Sequence, residues 1–352
     1  MKKILEVCLS PDLGGLELHM KDLTKFLETN AVINKKSKLK EVFKKENLSY
    51  FEISRYNFLR LAKIIDEEKI DILHLHWTKD IPMIVLAKLI SKRKPKIIQT
   101  RHMHMTRFKN DFYHRFLYKN IDMIIAVTNL VNEQLKKFIP IDISPKIETC
   151  YIGARTPKIL SIEEKDKLKE KINIKDEFII SIVGRIEEAK GQYIVLQAVE
   201  KLRLKGIKVK TLVVGHFMDE SYFTKLKNNY SNDIFTGFVP NPTDFMQISD
   251  CLVLATKKET FGLVLIEAMK CCVCVLGSNS GGPLEIIDDK ETGLLFESMN
   301  SDDLCEKLFL IYTNLELREK LALNGQIKAD KYFDAMNQFK KIKTIFNSIS
   351  KD

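Results

Sequence analysis

Short apolar, β-rich runs alternate with amphipathic stretches along most of the chain. In the first half the runs fall at 4–9, 70–75, 97–99, 123–127 and 147–152. Between them, 16–27, 59–65, 83–90, 112–118 and 130–138 repeat their apolar residues at helical spacing. This alternation predicts a parallel sheet with helices on both faces. The stretch 33–48 is too weakly patterned to place. A second series predicts strands at 179–183, 209–214, 234–236, 251–255 and 273–276, with helices at 193–204, 222–230, 263–271 and 284–287. The charged segment 154–177 reads as a hinge and a leading helix, and everything after Ser301 reads as helix.

The predicted architecture is therefore α/β, with two Rossmann-like, doubly wound domains facing across a cleft. Residues 1–158 form the first, 159–330 the second, and 331–352 a helix crossing back to the first. In such sheets ligands gather beyond the carboxyl ends of the strands, where loops enter helix N-termini.

Composition narrows the class. A chain of 352 residues exceeds what one core sustains, which favours two domains. Its 45% hydrophobic and 30% charged residues suit a globular protein. No run approaches the ~18 apolar residues of a membrane span. Glu6 interrupts the first apolar run, which argues against a secretory signal. The seven cysteines read as reduced, buried thiols of a cytoplasmic protein. Charge is uneven: residues 1–160 hold 30 Lys and Arg against 18 Asp and Glu, leaving 27 against 29 for the remainder. A basic half suits an anionic membrane, a phosphorylated substrate or nucleic acid, but no RNA- or DNA-binding motif accompanies the charge.

Four loops carry candidate chemistry. Gly14 and Gly15 follow the first strand and open a helix, a place where backbone N–H groups favour an anion. Gly184 and Arg185, then Lys190 and Gly191, leave the strand at 179–183; a guanidinium fork and a mobile ammonium suit phosphate oxygens. The stretch Glu259, Thr260, Phe261, Gly262, Leu263 leads into a helix that carries Glu267 about two turns further on. One carboxylate can then serve a sugar and the other a ribose. Ser280, Gly281, Gly282 and Pro283 form a second close-approach loop. Among the histidines, His74 and His76 are expected on opposite faces of their strand, and His102 and His104 likewise; His102, at a strand end, is the candidate for chemistry.

Together these residues resemble the retaining glycosyltransferases of family four, which have the GT-B fold. The resemblance spans essentially the whole chain and is strongest over 178–300. It implies that Arg185 and Lys190 hold a donor diphosphate, that Glu259 contacts donor-sugar hydroxyls, and that Glu267 contacts the ribose. It places backbone groups of Phe261, Gly262 and Leu263 by the phosphates, and Gly14 and Gly15 over the site. Phe238 and Val239 would border the nucleobase, and His102 is similar to the cleft histidine of many members. No metal ligand set stands out, so the resemblance implies a metal-independent enzyme with a nucleotide-sugar donor and no other cofactor. Gly215-His216-Phe217 stands where the family often has Gly-x-Gly, and Gly153-Ala154-Arg155 where it often has Asn-Gly-x-Asp. These departures leave the donor's identity open.

The expected activity is transfer to a hydroxyl of a growing glycan, such as a lipopolysaccharide, a capsule or a lipid-linked oligosaccharide. A nucleotide-sugar 2-epimerase and a non-catalytic partner subunit are the alternatives. Residues 101–119 interleave Arg101, Arg107, Lys109, Arg115 and Lys119 with five aromatics. That pattern predicts salt-sensitive peripheral association with the inner face of the cytoplasmic membrane.

Overall fold

The computed structural model describes residues 2–349. The chain forms two compact units. One contains residues up to Ile152 together with those from Met336 onward, and the other runs Gly153–Ala335. The chain thus leaves the first unit a few residues before position 158 and rejoins it a few residues after 331.

In the first unit seven strands form one parallel sheet: β1 (Ile4–Cys8), β2 (Asn30–Asn34), β3 (Tyr50–Ile53), β4 (Ile72–Leu75), β5 (Lys96–Arg101), β6 (Met123–Ala126) and β7 (Lys146–Thr149). Their order is β3-β2-β1-β4-β5-β6-β7, every pairing parallel. The order reverses between β1 and β4, a doubly wound switch point. Helices cover both faces, so β1, β4 and β6 are apolar almost throughout. The unplaced stretch resolves into the end of β2 and helix Leu39–Lys45, with β3 following. Only Leu39 and Phe43 of that helix are buried, and three of its other five residues are lysines, so its period is hard to see.

In the second unit, β8 (Phe178–Val183), β9 (Val209–Val214), β10 (Ile234–Gly237), β11 (Cys251–Leu254), β12 (Cys274–Ser278) and β13 (Leu294–Phe296) form a parallel sheet ordered β10-β9-β8-β11-β12-β13. Its switch point lies between β8 and β11. Strand β13, three residues long, is absent from the pattern read along the chain. The expected leading helix is Ile162–Lys171, started by Ser161 and Glu164 in a reciprocal capping box. After Ser301 the described chain is helical, apart from short breaks, with Asn300 and Asn314 capping the next two helices.

Helix Ala335–Ser348 completes the first unit. Phe339, Ile342 and Phe346 are buried there, and the Phe346 ring lies 4.9 Å from His74. The cysteines are all free; Cys272 is exposed and the other six are buried.

One buried cation binds the second unit's helices together. The Lys270 side chain is 1% exposed, and its ammonium pairs with Asp330 at 3.0 Å and Asp334 at 3.3 Å. Removing one member of a fully enclosed pair costs ~3–5 kcal/mol. The two aspartates here keep contact with water, so Lys270→Ala should cost about 2–3 kcal/mol. Urea unfolding monitored by circular dichroism checks this, through a lower midpoint at an unchanged slope.

Candidate functional site

The charged residues singled out in the second unit sit at the carboxyl ends of β8 and β11. After β8 the chain turns at Gly184, and Arg185 points into solvent about half-exposed, with Glu187 as its ion-pair partner at 3.3 Å. A short 3-10 turn, Glu188–Lys190, then brings Lys190 round to helix Gln192–Leu204. The Lys190 ammonium meets Glu259 at 3.0 Å, both side chains partly shielded from water. Gly191 makes this approach possible. A Cβ there would stand 2.3 Å from the Ala255 carbonyl oxygen, at the end of β11.

The loops after β11 and β12 interlock through glycines. The Gly282 N–H donates to the Glu259 carbonyl at 2.9 Å. A Cβ on Gly281 would lie 2.2 Å from that same oxygen, and one on Gly282 would lie 2.0 Å from the Phe261 carbonyl oxygen. No larger residue fits either position without moving the backbone that carries Glu259. Gly262 caps helix Leu263–Lys270 in the left-handed region, at φ 101°. The N-terminal turn of that helix, from Leu263, therefore opens beside Glu259. Two turns on, Glu267 is half-buried and its carboxylate has no hydrogen bond or ion pair among the described residues. Burial pushes its carboxyl up to about 7. A carboxylate so placed is a ready acceptor for ligand hydroxyls.

Phe238 and Val239 follow β10 and separate in role. Phe238 is exposed, its ring 6.4 Å from His216. Val239 packs against the cluster of Ile179, Leu212 and Val214 and faces inward.

In the first unit, Gly14 and Gly15 open helix Gly15–Leu27 as expected, but the helix start already has its anion. The Glu17 carboxylate folds back to accept the Gly14 N–H at 2.9 Å. Nothing lies within 4 Å of a Cβ on Gly15, so close approach is open there.

The histidines are arranged differently from expectation. His74 and His76 are two residues apart, which puts both on one face of β4 rather than on opposite faces. Both meet the same oxygen of Glu6 in β1, His74 Nδ1 at 2.8 Å and His76 Nε2 at 2.7 Å, fully buried. His74 Nε2 reaches Thr100 Oγ1 at 2.7 Å, and His76 Nδ1 reaches His102 Nε2 at 3.2 Å. Burial holds His19, His74 and His76 down to about 3 and His102 well below its usual range, so all four rings are neutral. Burial raises the Glu6 carboxyl above its ordinary range, and the proton positions below are those of its ionised form. His74 and His76 each donate to the carboxylate, His102 Nε2–H donates to His76 Nδ1, and His102 Nδ1 is left as an acceptor. Glu6 and His76 thus set the tautomer of His102. The ring nitrogens of His19, His76 and His102 also converge within 4.8 Å, a spacing that suits a divalent transition metal. Internal hydrogen bonds occupy both nitrogens of His76, while His19 Nε2 is buried without a partner.

Arg101 also turns inward. It donates to the carbonyls of Met103 and His104 and to Thr78, and so pins the loop that carries His102. Glu6, His19, His76 and Arg101 were not read from the sequence as parts of the His102 site. The available signal was a lone Glu within a fully apolar strand beside a His-x-His strand.

Two all-parallel, doubly wound units, with Lys190–Glu259 and Glu267 at the carboxyl edge of the second, define a GT-B protein. The chain belongs to the group 1 glycosyltransferases. The family described as "Glycosyl transferases group 1" matches residues 164–328, and "Glycosyl transferase 4-like" matches 6–129. A capsular polysaccharide biosynthesis glycosyltransferase, CapM of Staphylococcus aureus, is 26% identical over 84% of this chain and 81% of its own length. The N-acetylgalactosamine-N,N'-diacetylbacillosaminyl-diphospho-undecaprenol 4-alpha-N-acetylgalactosaminyltransferase of Campylobacter jejuni is 30% identical over 64% of this chain and 60% of its own. Among solved structures, Anabaena HepE in complex with UDP and glucose aligns with a TM-score of 0.87 at 18% identity, covering 99% of this chain and 100% of that one. At that identity the likeness concerns the fold.

The raised Glu267 carboxyl has a measurable consequence. A ligand hydroxyl bonded to the ionised form favours that form, so binding at pH 7 releases a proton. With a ligand hydroxyl on Glu267, affinity for a nucleoside-diphosphate sugar, whose phosphates carry no titrating proton in this range, should rise between pH 6 and pH 8, and Glu267→Gln should abolish the rise. Calorimetry in two buffers of different ionisation enthalpy measures both the affinity and the proton count.

Proposed function

We propose that the protein transfers a sugar from a nucleoside-diphosphate sugar to a hydroxyl of a growing glycan, with retention at the anomeric carbon. The observation that carries this reading is the Lys190–Glu259 pair beside the start of helix Leu263–Lys270. A diphosphate is a stronger partner for Lys190 than a single carboxylate. On binding it draws the ammonium and releases Glu259 to the sugar's hydroxyls. Arg185, paired at the surface with Glu187, adds a bidentate fork. Backbone N–H groups from Leu263 onward contribute the helix's positive end, and Glu267 takes the ribose.

In this scheme the two cations stabilise the departing diphosphate without a metal. The bond from the anomeric carbon to the phosphate oxygen breaks. The acceptor oxygen bonds to the same face of that carbon, and its proton passes to the released phosphate oxygen. The UDP complex of HepE supports a nucleoside-diphosphate donor, and the names of the S. aureus and C. jejuni relatives support a glycan acceptor.

Arg185→Ala and Lys190→Ala should each weaken donor binding by about 1.5–3 kcal/mol, roughly ten- to over a hundredfold. Titration against a panel of nucleoside-diphosphate sugars measures this, and unchanged affinity in both variants removes the phosphate role. Proton NMR of the product should show the anomeric configuration of the donor; inversion overturns the mechanism.

We also place the enzyme at the cytoplasmic membrane surface as a peripheral protein. No helix among the described residues is long and apolar enough to cross a membrane. Helix Phe112–Lys119 supports surface attachment, because Phe112 is 88% exposed and Tyr113 and Phe116 are exposed beside Arg115 and Lys119. Leu117 and Tyr118 anchor its other face in the core. Anionic phospholipid vesicles should pellet the protein at low salt and release it at high salt. Absence of pelleting at low salt refutes the attachment.

A further inference from the structure

The first unit contains a concave surface that the proposed donor chemistry leaves unused. A cavity of about 460 Å³ opens where the loops after β3, β4 and β5 meet helix Phe112–Lys119. Arg55, Lys79, Arg107, Lys109 and His114 line it, and its lining includes no Asp or Glu. Arg55, Lys79 and Arg107 form no ion pair and no side-chain hydrogen bond among the described residues. The Arg55 guanidinium instead lies 4.7 Å from the Trp77 ring, with its buried Nε lacking any hydrogen-bond partner. Lys79 approaches the same ring at 5.3 Å.

The nearby acids are otherwise engaged. Asp80 is buried and accepts the Leu9 N–H; burial pushes its carboxyl up to about 7, against the opposing pull of that hydrogen bond and of the nearby Arg55. Asp111 caps its helix and binds Nδ1 of His114. Burial and the nearby Arg107 and Arg101 hold Lys109 below its ordinary range. Like charges gathered in a concavity with few counter-charges raise the local potential and draw in anions. Two guanidinium groups and two ammonium groups suit a group with several oxygens and more than one negative charge. Around it, Tyr56 is 76% exposed and Tyr113 is exposed, flat faces of the kind on which sugar rings or hydrocarbon rest.

We propose that this cavity holds the phosphate or diphosphate group of a phosphorylated acceptor. Its role as an acceptor site rests on the transfer reaction proposed above; the phosphate site itself does not. The phosphate is borne either by a lipid or by a soluble sugar ester.

The test is calorimetric titration of the full chain carrying Arg185→Ala and Lys190→Ala, which lacks the other proposed phosphate ligands. The titrants are inorganic pyrophosphate and farnesyl diphosphate. Pyrophosphate should bind saturably, one per chain, and Arg55→Gln with Arg107→Gln should weaken it at least tenfold. Arg55 stacks on Trp77, so Lys79→Gln with Arg107→Gln, both at exposed positions, gives the same comparison without risk to the fold. Farnesyl diphosphate binding at least tenfold tighter than pyrophosphate assigns the group to a lipid; equal affinity assigns it to a soluble ester. Absence of saturable pyrophosphate binding, or binding untouched by the exposed pair of substitutions, overturns the proposal. Pyrophosphate binding by this variant, together with no affinity of the unsubstituted protein for any nucleoside-diphosphate sugar, keeps the anion site and removes the transferase reading.

Discussion

Every strand pairing in both sheets is parallel, and helices lie over the faces, so a central strand has almost no side toward water. Polar chemistry is thereby pushed to the ends of the strands. At the carboxyl ends the backbone must turn sharply and then enter a helix, which exposes N–H groups and brings loops from neighbouring strands together. In the second unit this crowding is met by glycine. Gly191 lies against Ala255, and Gly281 and Gly282 lie against Glu259 and Phe261. The loops become a rigid support for Lys190 and Glu259, because none of these contacts leaves room for a side chain.

Glu6 places a fully buried carboxyl group inside a strand. A carboxylate inside β1 carries a large desolvation cost unless it is hydrogen-bonded. Two imidazoles from β4 offset that cost, and one passes the constraint on to His102. The returning helix closes the arrangement, with Phe346 against His74 and Phe339 against His19. The chain's last helix therefore belongs to the environment of its first strand. Its packing keeps the histidines dry and uncharged.

The two units handle charge in opposite ways. In the second, the site cations have acidic partners, Glu259 for Lys190 and Glu187 for Arg185. A ligand there must displace an existing pair, which favours a strongly anionic group such as a diphosphate. In the first, Arg55, Lys79 and Arg107 form no ion pair among the described residues and line one cavity that has no Asp or Glu in its lining. The excess of positive charge in the first 160 residues is thus not spread evenly as solvated lysine.

The alternating pattern of apolar runs by itself determined the class of fold, the two-unit division and most of the strands. Buried parallel strands must be nearly continuous in apolar residues, and that leaves a local signature. The Lys190, Glu259 and Glu267 positions were legible for a related reason: each lies in a loop or helix directly after such a strand. Short elements such as helix Leu39–Lys45 and β13 carry too few buried positions to show a period. Tertiary structure alone decided what the charged residues face. Glu6, His74, His76, Thr100 and His102 come from three strands adjacent in the sheet but far apart in the chain. The inward turn of Arg101, the capture of the Gly14 N–H by Glu17 and the gathering of Arg55 with Arg107 likewise depend on distances between segments. Spacing along one segment encodes which side chains share a face, but the partner across the sheet is set only when the strands pair.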